Sequence, residues 1–290
     1  MPGITLGEAV YRASRLLKEK GAASPRLDAE VLLAHVLGQD RVYLYRESGR
    51  QLDTADAGRY SKLLERRTTG EPVAYLTGHK EFMGFDFLVG PRVLIPRPET
   101  ELMVEYALGL LKGWAGAQVA VDVGTGSGAV AVSLARLAPD CAVYATDASA
   151  VALAVARQNA SRHDVPVYFG HGDLLGPLQG VLEPDAAAVI AANLPYIPQG
   201  DLPGLPREVW GFEPHEALDG GPDGLELYRR LIPQALNLLA PGGHLLMEIG
   251  PDQARSVLQL TANHLWEASV LPDLAGRPRL AVARKKSRKK

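Results

Sequence analysis

From Glu99 onward the hydrophobic period of this 290-residue chain switches repeatedly between helix and strand, and no other property narrows its fold as much. Helical patterns at 99–112, 128–138, 149–162, 224–239 and 251–263 alternate with strand patterns at 118–123, 141–147, 166–170, 187–192 and 243–249. Two more strands, near 266–271 and 278–284, close the series. Such alternation packs as a mostly parallel sheet with helices on both faces. The expected class is therefore α/β with seven strands, and ligand chemistry is expected outside the carboxyl ends of those strands.

The first seventy residues follow a different rule. Leu6, Ala9, Val10, Ala13, Leu16 and Leu17 fall at helical spacing behind Thr5 and Glu8, which form a capping-box signature, and Gly21 ends the run. Ser24 reads as the next N-cap with Pro25 at the first helical position, and Leu27, Val31, Ala34 and Leu37 lead to a stop at Gly38. A third helical pattern spans Thr54 to Arg67, so a small bundle is expected. Phe82, Gly84, Phe85, Phe87 and Val89 then alternate with polar neighbours as in a hairpin, and the proline-rich Pro91 to Pro98 follows. The expected organisation is a helical domain over 1–75, a hairpin and proline-rich linker over 76–98, the α/β domain over 99–284 and a basic tail over 285–290.

Composition excludes several classes. A net charge of −2 provides no global field for a polyanion, so direct nucleic-acid binding is not expected. The basic run from Arg284 to Lys290, with only Ser287 uncharged, reads as a disordered, solvated tail first and a weak nucleic-acid or ribosome contact second. No apolar run approaches the ~18 residues that would suggest a membrane span. The single cysteine, Cys141, permits neither an intrachain disulfide nor a thiolate metal cluster, and it reads as a core residue. No metal site is expected, and the single cysteine and the lack of an apolar leader pattern make a cytoplasmic location the expectation.

The strand Val119 to Val123 runs into Gly124-Thr125-Gly126-Ser127-Gly128 and then a helix. Glycines let backbone turn sharply and approach a ligand, and the helix N-terminus offers free N–H donors. With Ala129 the loop also fits the permissive dinucleotide fingerprint G-x-G-x-x-A, and Asp147 at the end of the next strand suits a ribose in either case, so a nicotinamide cofactor stays open at this point. Asp122, just before the first glycine, resembles instead the Asp/Glu-x-Gly-x-Gly-x-Gly loop of class I methyltransferases. In that class the carboxylate helps hold the loop and the methionine end of S-adenosylmethionine. Asp173 and Leu174, after the third strand, occupy the place where the same class binds adenine, although Asp after Gly172 is also a common turn residue.

At the end of strand 187–192 stands Asn193-Leu194-Pro195-Tyr196. An amide or exocyclic amine nitrogen is a poor nucleophile because its lone pair is delocalised, so catalysis must orient that lone pair toward the methyl group. The Asn193 side-chain oxygen and a backbone carbonyl beside the proline can each accept one N–H of a substrate NH₂, while Tyr196 packs against the planar group. This chemistry requires neither metal nor strong base.

The chain resembles the release-factor glutamine methyltransferase family, whose tetrapeptide is usually Asn-Pro-Pro-Tyr; Leu194 departs from that pattern at the second position. Further family-like stretches are Ser24 to Glu30, Phe82-Met83-Gly84, Leu94 to Glu101 and Phe212-Glu213-Pro214-His215. The resemblance implies a Rossmann-like class I methyltransferase fold with S-adenosylmethionine bound by Asp122, Gly124, Thr125, Gly126, Ser127, Gly128, Asp147, Asp173, Leu174 and Asn193. Asn193, Pro195 and Tyr196 would act on the substrate, with Leu194 beside them. Arg97 and Glu99 would line the active site, or else pair with each other and cap helix 99–112. His215 reads as structural. The partner implied is a peptide chain release factor, recognised by the helical domain. Alternatives are an amino-methyltransferase of adenine in DNA or RNA, an idle S-adenosylmethionine-binding scaffold, and a dehydrogenase; the intact tetrapeptide and Asp122 oppose the last two.

Overall fold

Helices fill most of the first 77 residues: α1 (Leu6–Glu19), α2 (Pro25–Leu37), α3 (Arg41–Arg46), α4 (Thr54–Thr68) and α5 (Val73–Thr77). The computed structural model describes residues 3–287 and divides them into two units, 3–79 with 205–212, and 80–204 with 213–287. In the first unit Leu6, Ala9, Ala13 and Leu17 of α1 pack with Ala29, Leu32, Leu33 and Val36 of α2. Leu27, expected inside, is instead 44% exposed, because the buried face of α2 is rotated away from it. The capping box is half made: Thr5 Oγ1 accepts from the Glu8 N–H at 3.2 Å, but the Glu8 carboxylate turns to Arg12. Ser24 sits at the N-cap of α2 without a side-chain bond; its carbonyl accepts from Asp28 N–H instead. Two short helices, α3 and α5, have too few turns to show a period.

The hairpin β1 (His79–Phe82) and β2 (Phe85–Leu88) turns through Met83 and Gly84, both at positive φ (54° and 77°), the two-residue turn whose twist suits paired strands. Phe82 and Phe87 are buried in the core of the second unit, their rings edge-on at 6.1 Å. The chain then alternates as α6 (Glu101–Lys112), β3 (Val119–Val123), α7 (Ala129–Leu137), β4 (Ala142–Asp147), α8 (Ala150–Arg162), β5 (Tyr168–His171) and β6 (Ala187–Ala192). It returns to the first unit over 205–212, with the short helix α9 (Arg207–Trp210). There Arg67, buried, pairs with Asp28 at 2.8 Å and with Glu208 at 3.1 Å, so an ion triad fastens the late segment to the helical bundle. Nothing in the local pattern of residues 205–212 announces this attachment.

The chain continues through α10 (Glu226–Leu238), β7 (Leu239–Glu248), α11 (Ala254–Leu260), β8 (Trp266–Pro272) and β9 (Pro278–Lys285). The seven-stranded sheet has the order β5-β4-β3-β6-β7-β9-β8, parallel from β5 to β7 and antiparallel where β9 enters between β7 and β8. Every residue of β6 is buried, as expected for a central strand covered on both faces. Cys141 is buried as expected, and burial pushes its thiol up to about 11.

Several boundaries differ from the sequence reading. β7 starts four residues early, and α11 stops at Leu260 after a 3₁₀ turn over Pro251–Gln253. The basic tail is shorter than expected. Arg284 and Lys285 belong to β9, and Lys285 Nζ donates to the carbonyls of Leu236 and Leu239 at 2.7 Å, satisfying the end of α10 rather than facing solvent. Residues 288–290 of that run lie outside the described residues. Among the described residues no helix is long and apolar enough to cross a membrane, and no group of three His, Cys, Asp or Glu is placed to hold a metal ion.

Candidate active site

The glycine loop is built by its own neighbours. Gly124, Gly126 and Gly128 all have positive φ (73°, 56° and 82°), a region that disfavours side chains. The N–H groups of Gly124 and Thr125 both donate to the Thr146 carbonyl of β4, at 2.8 and 3.0 Å, which folds the loop over the sheet edge. Asp122 is buried and clasps both sides of the turn, accepting from Thr125 Oγ1 at 2.6 Å and Ala131 N–H at 3.1 Å. Burial raises its pKa to about 7, against the lowering effect of those two bonds. Ser127 is buried, and its carbonyl accepts from Asn159 Nδ2 at 2.8 Å. Asn159 of α8 bonds the Leu88 backbone as well, and its role was missed by sequence reasoning because a helical Asn carries no local signal for a distant partner.

Asp147 ends β4, and its carboxylate accepts from Gly126 N–H at 2.9 Å and Ser149 N–H at 2.8 Å. Burial raises its pKa, opposed by those backbone bonds. A Cβ built on Gly126 would meet nothing within 4 Å, so the loop faces open space there. Asp173 is exposed and paired with Arg230. It lines an open cleft of about 530 Å³ with His171, Gly172, Pro177 and Gln234. Leu174 behind it is buried at φ 48°.

The tetrapeptide follows β6 at the same edge. Leu194 is buried and its Cδ2 would lie 2.8 Å from a Cβ on Gly124, so the residue that departs from the usual proline fills the space behind the glycine loop. The backbone of the turn is cradled by residues 218–224. Ile197 N–H donates to the Leu218 carbonyl, Gly220 N–H returns to the Ile197 carbonyl at 2.9 Å, and a Cβ on Gly220 would approach the Pro195 carbonyl to 2.8 Å. Gly224, at φ 75°, lies so close to the Tyr196 carbonyl and Gln253 that no side chain fits.

Four segments converge on the side chains. Asn193 Nδ2 donates to Thr100 Oγ1 at 3.1 Å, and Thr100 Oγ1 donates to Glu248 Oε2 at 2.7 Å. Tyr196 OH reaches Glu248 Oε1 at 3.4 Å, and its carbonyl accepts from Gln253 Nε2 at 2.8 Å. Burial pushes the Tyr196 phenol up to about 12 and raises the Glu248 carboxyl. Thr100, Glu248 and Gln253 were not among the expected site residues; Thr100 lay in the family-like stretch Leu94 to Glu101, and Glu248 had a signal as a carboxylate at the carboxyl end of the apolar β7. Tyr228 of α10 is also buried, donating to the carbonyls of Ala192 and Glu248 and tying the ends of β6 and β7 together.

Arg97 does not pair with Glu99. Its guanidinium binds Glu213, a buried carboxylate that also accepts from the Ile95 N–H at 3.2 Å, because burial of Glu213 demands a cation that the exposed Glu99 does not. Glu99 lies in the 3₁₀ turn Pro98–Thr100 ahead of α6, and neither residue caps that helix with its side chain. His215 begins a 3₁₀ turn, its carbonyl accepting from Leu218 and Asp219.

A dinucleotide sheet of this kind runs 3-2-1-4-5-6 in parallel, whereas here the last sequential strand enters antiparallel before the sixth. With the Asp122-clasped glycine loop, this defines the class I methyltransferase fold. A solved methyltransferase from Pyrococcus furiosus shares it, at 20% identity and a TM-score of 0.51, over 80% of this chain and 99% of that one. Residues 8–78 match the PrmC N-terminal domain, and residues 120–211 match a methyltransferase domain. The release factor glutamine methyltransferase of Moorella thermoacetica is 47% identical over 97% of this chain and 98% of its own length. That of Koribacter versatilis is 42% identical over 97% and 99%. The chain belongs to the release factor glutamine methyltransferase family.

Proposed function

We propose that this protein transfers a methyl group from S-adenosylmethionine to the side-chain amide nitrogen of the glutamine in the Gly-Gly-Gln motif of peptide chain release factors. The observation that carries the reading is the intact Asn193-Leu194-Pro195-Tyr196 turn packed against the glycine loop through Leu194 and Gly124, which makes an acceptor site and a cofactor loop immediate neighbours. The relatives named above support the choice of a protein amide over adenine as acceptor.

The loop fits this cofactor. Positive φ at three glycines, open space at Gly126 and a carboxylate at the end of β4 suit a ligand carrying an amino-acid end and a ribose. S-adenosylmethionine, when bound, supplies an activated methyl group on sulfonium. Asp122 serves as the clasp that holds the loop in its binding shape. Asp147 takes the ribose hydroxyls, and Asp173 with Leu174 borders the adenine. Asn193 Oδ1 and the backbone carbonyl beside Pro195 accept the two N–H groups of the substrate amide, turning its lone pair toward the methyl carbon. Tyr196 bounds the planar amide on one side. Arg97, through Glu213, shapes the segment before α6 rather than touching the substrate. The helical unit recognises the release factor, and the protein acts in the cytoplasm.

The test incubates the purified protein with methyl-labelled S-adenosylmethionine and, in parallel, a release factor, the same factor with its loop glutamine changed, and duplex DNA. Label on the native factor alone is the expected result. Label on DNA, or on the glutamine variant, would overturn the reading.

A further inference from the structure

An asparagine that must accept hydrogen bonds from a substrate amide faces a problem of its own, since its two ends are nearly the same shape. Rotated by half a turn, the side chain would present an NH₂ to an NH₂, and the substrate could not bind in the reactive orientation. The protein therefore needs a device that distinguishes the two ends of Asn193. Resting on the function proposed above, we infer that Thr100 is the positioning residue that fixes the Asn193 amide with its oxygen toward the acceptor, and that Glu248 sets the direction in which the Thr100 hydroxyl points.

The number of protons at Thr100 and Glu248 decides the orientation of Asn193. Glu248 is buried at the carboxyl end of β7, and two hydroxyl groups converge on it, Thr100 Oγ1 on Oε2 at 2.7 Å and Tyr196 OH on Oε1 at 3.4 Å. A hydroxyl has a single proton, and Thr100 commits its proton to the carboxylate. Only lone pairs of Thr100 Oγ1 remain for Asn193, 3.1 Å away, so the asparagine must present Nδ2 there. Oδ1 is then turned to the opposite side. Among the described residues no donor is bonded to it. Thr100 is itself buried. The chain Asn193 to Thr100 to Glu248 thus joins the residue before α6 to the ends of β6 and β7, three segments that only the sheet brings together.

Two substitutions separate the shape of Thr100 from its hydroxyl. Thr100→Val keeps the shape and removes the acceptor, whereas Thr100→Ser keeps the acceptor. With a release factor as substrate, Thr100→Val is expected to lower kcat by roughly tenfold to a hundredfold, because a misoriented acceptor costs about that much. KM for the factor and affinity for S-adenosylmethionine should change little, and Thr100→Ser should restore most of kcat.

A readout independent of activity accompanies this. Selective ¹⁵N labelling of the four asparagines, with the Asn193 signal assigned by its loss in Asn193→Ala, reports the side-chain NH₂ directly. In the wild type one Asn193 proton should be shifted downfield and slow to exchange, a signature lost in Thr100→Val and kept in Thr100→Ser. A freely exchanging Asn193 amide in the wild type would overturn the inference even if Thr100→Val failed to fold, and so would unchanged kcat in a folded Thr100→Val. Should the protected amide and its loss in Thr100→Val be observed while no release factor is methylated, the orienting role of Thr100 stands and the identity of the acceptor falls.

Discussion

The glycine loop and the Asn193 turn sit at one edge of the sheet, yet they are held in opposite ways. The loop is local: Asp122, Thr125, Ala131, Thr146 and Asp147 lie within 26 residues, and most of their bonds run to backbone. The turn is assembled from afar. Thr100 lies 93 residues from Asn193 and 148 from Glu248, and Gln253 lies 57 from Tyr196. A site held by backbone and local carboxylates tolerates distant change, whereas one held by side-chain bonds between remote segments depends on all of them. Substitutions in the two regions should therefore fail differently.

The largest effect is expected at the turn. Asn193→Ala should reduce methyl transfer by about three orders of magnitude, the scale for losing a group that positions and polarises the reacting atoms. Affinity for S-adenosylmethionine, measured by calorimetry, should stay nearly constant. Equal loss of both would break the separation between the two regions.

Gly224→Ala should destabilise the fold by about 3 kcal/mol in denaturant titration, since it adds both a left-handed penalty and a clash with the Tyr196 carbonyl. Gly126→Ala meets open space and should cost only about 1 kcal/mol, while weakening cofactor binding by filling that space. A reversed order of stability would mean that the turn is less constrained than its contacts indicate.

Asp147→Ala is expected to weaken S-adenosylmethionine binding about tenfold, with kcat at saturation reduced much less. If kcat fell while affinity held, Asp147 would belong to the turn's side of the comparison.

A separate effect concerns pH. Asp122 keeps its proton to about 7 in the folded protein and to about 4 when unfolded, so the folded state binds more protons across that window. Its contribution is fully present below pH 4 and is lost as pH rises to about 7, with a slope of up to about 1.4 kcal/mol per pH unit. Asp122→Asn should flatten that part of the stability profile. Asp147 and Glu248, also raised by burial, add dependences of the same sign.

What could be read from the chain followows this same division. The alternation after Glu99, the glycine loop, Asp122 and the edge tetrapeptide were legible because each depends on period or on residues adjacent in sequence. Helices α3 and α5 were not, since six and five residues give too little period to see. The stripe of α2 was misplaced at Leu27, because a helix apolar on several sides does not announce which face its neighbours will cover. Of the two readings of Arg97, the one that paired it with Glu99 failed, because pairing followed burial and chose Glu213, 116 residues away.

The sequence by itself determined the sheet, the loop and the identity of the residues at the strand ends, because hydrogen-bonded periodicity and glycine conformation are local properties of the chain. Tertiary structure alone decided which side chains complete the site: that Leu194 backs the glycine loop, that Asn159 supports Ser127, that Arg67 holds the returning segment 205–212, and that Thr100 and Glu248 meet at Asn193. Those choices turn on desolvation, since a polar group buried by the packing of distant segments must find whichever partner the packing brings within reach.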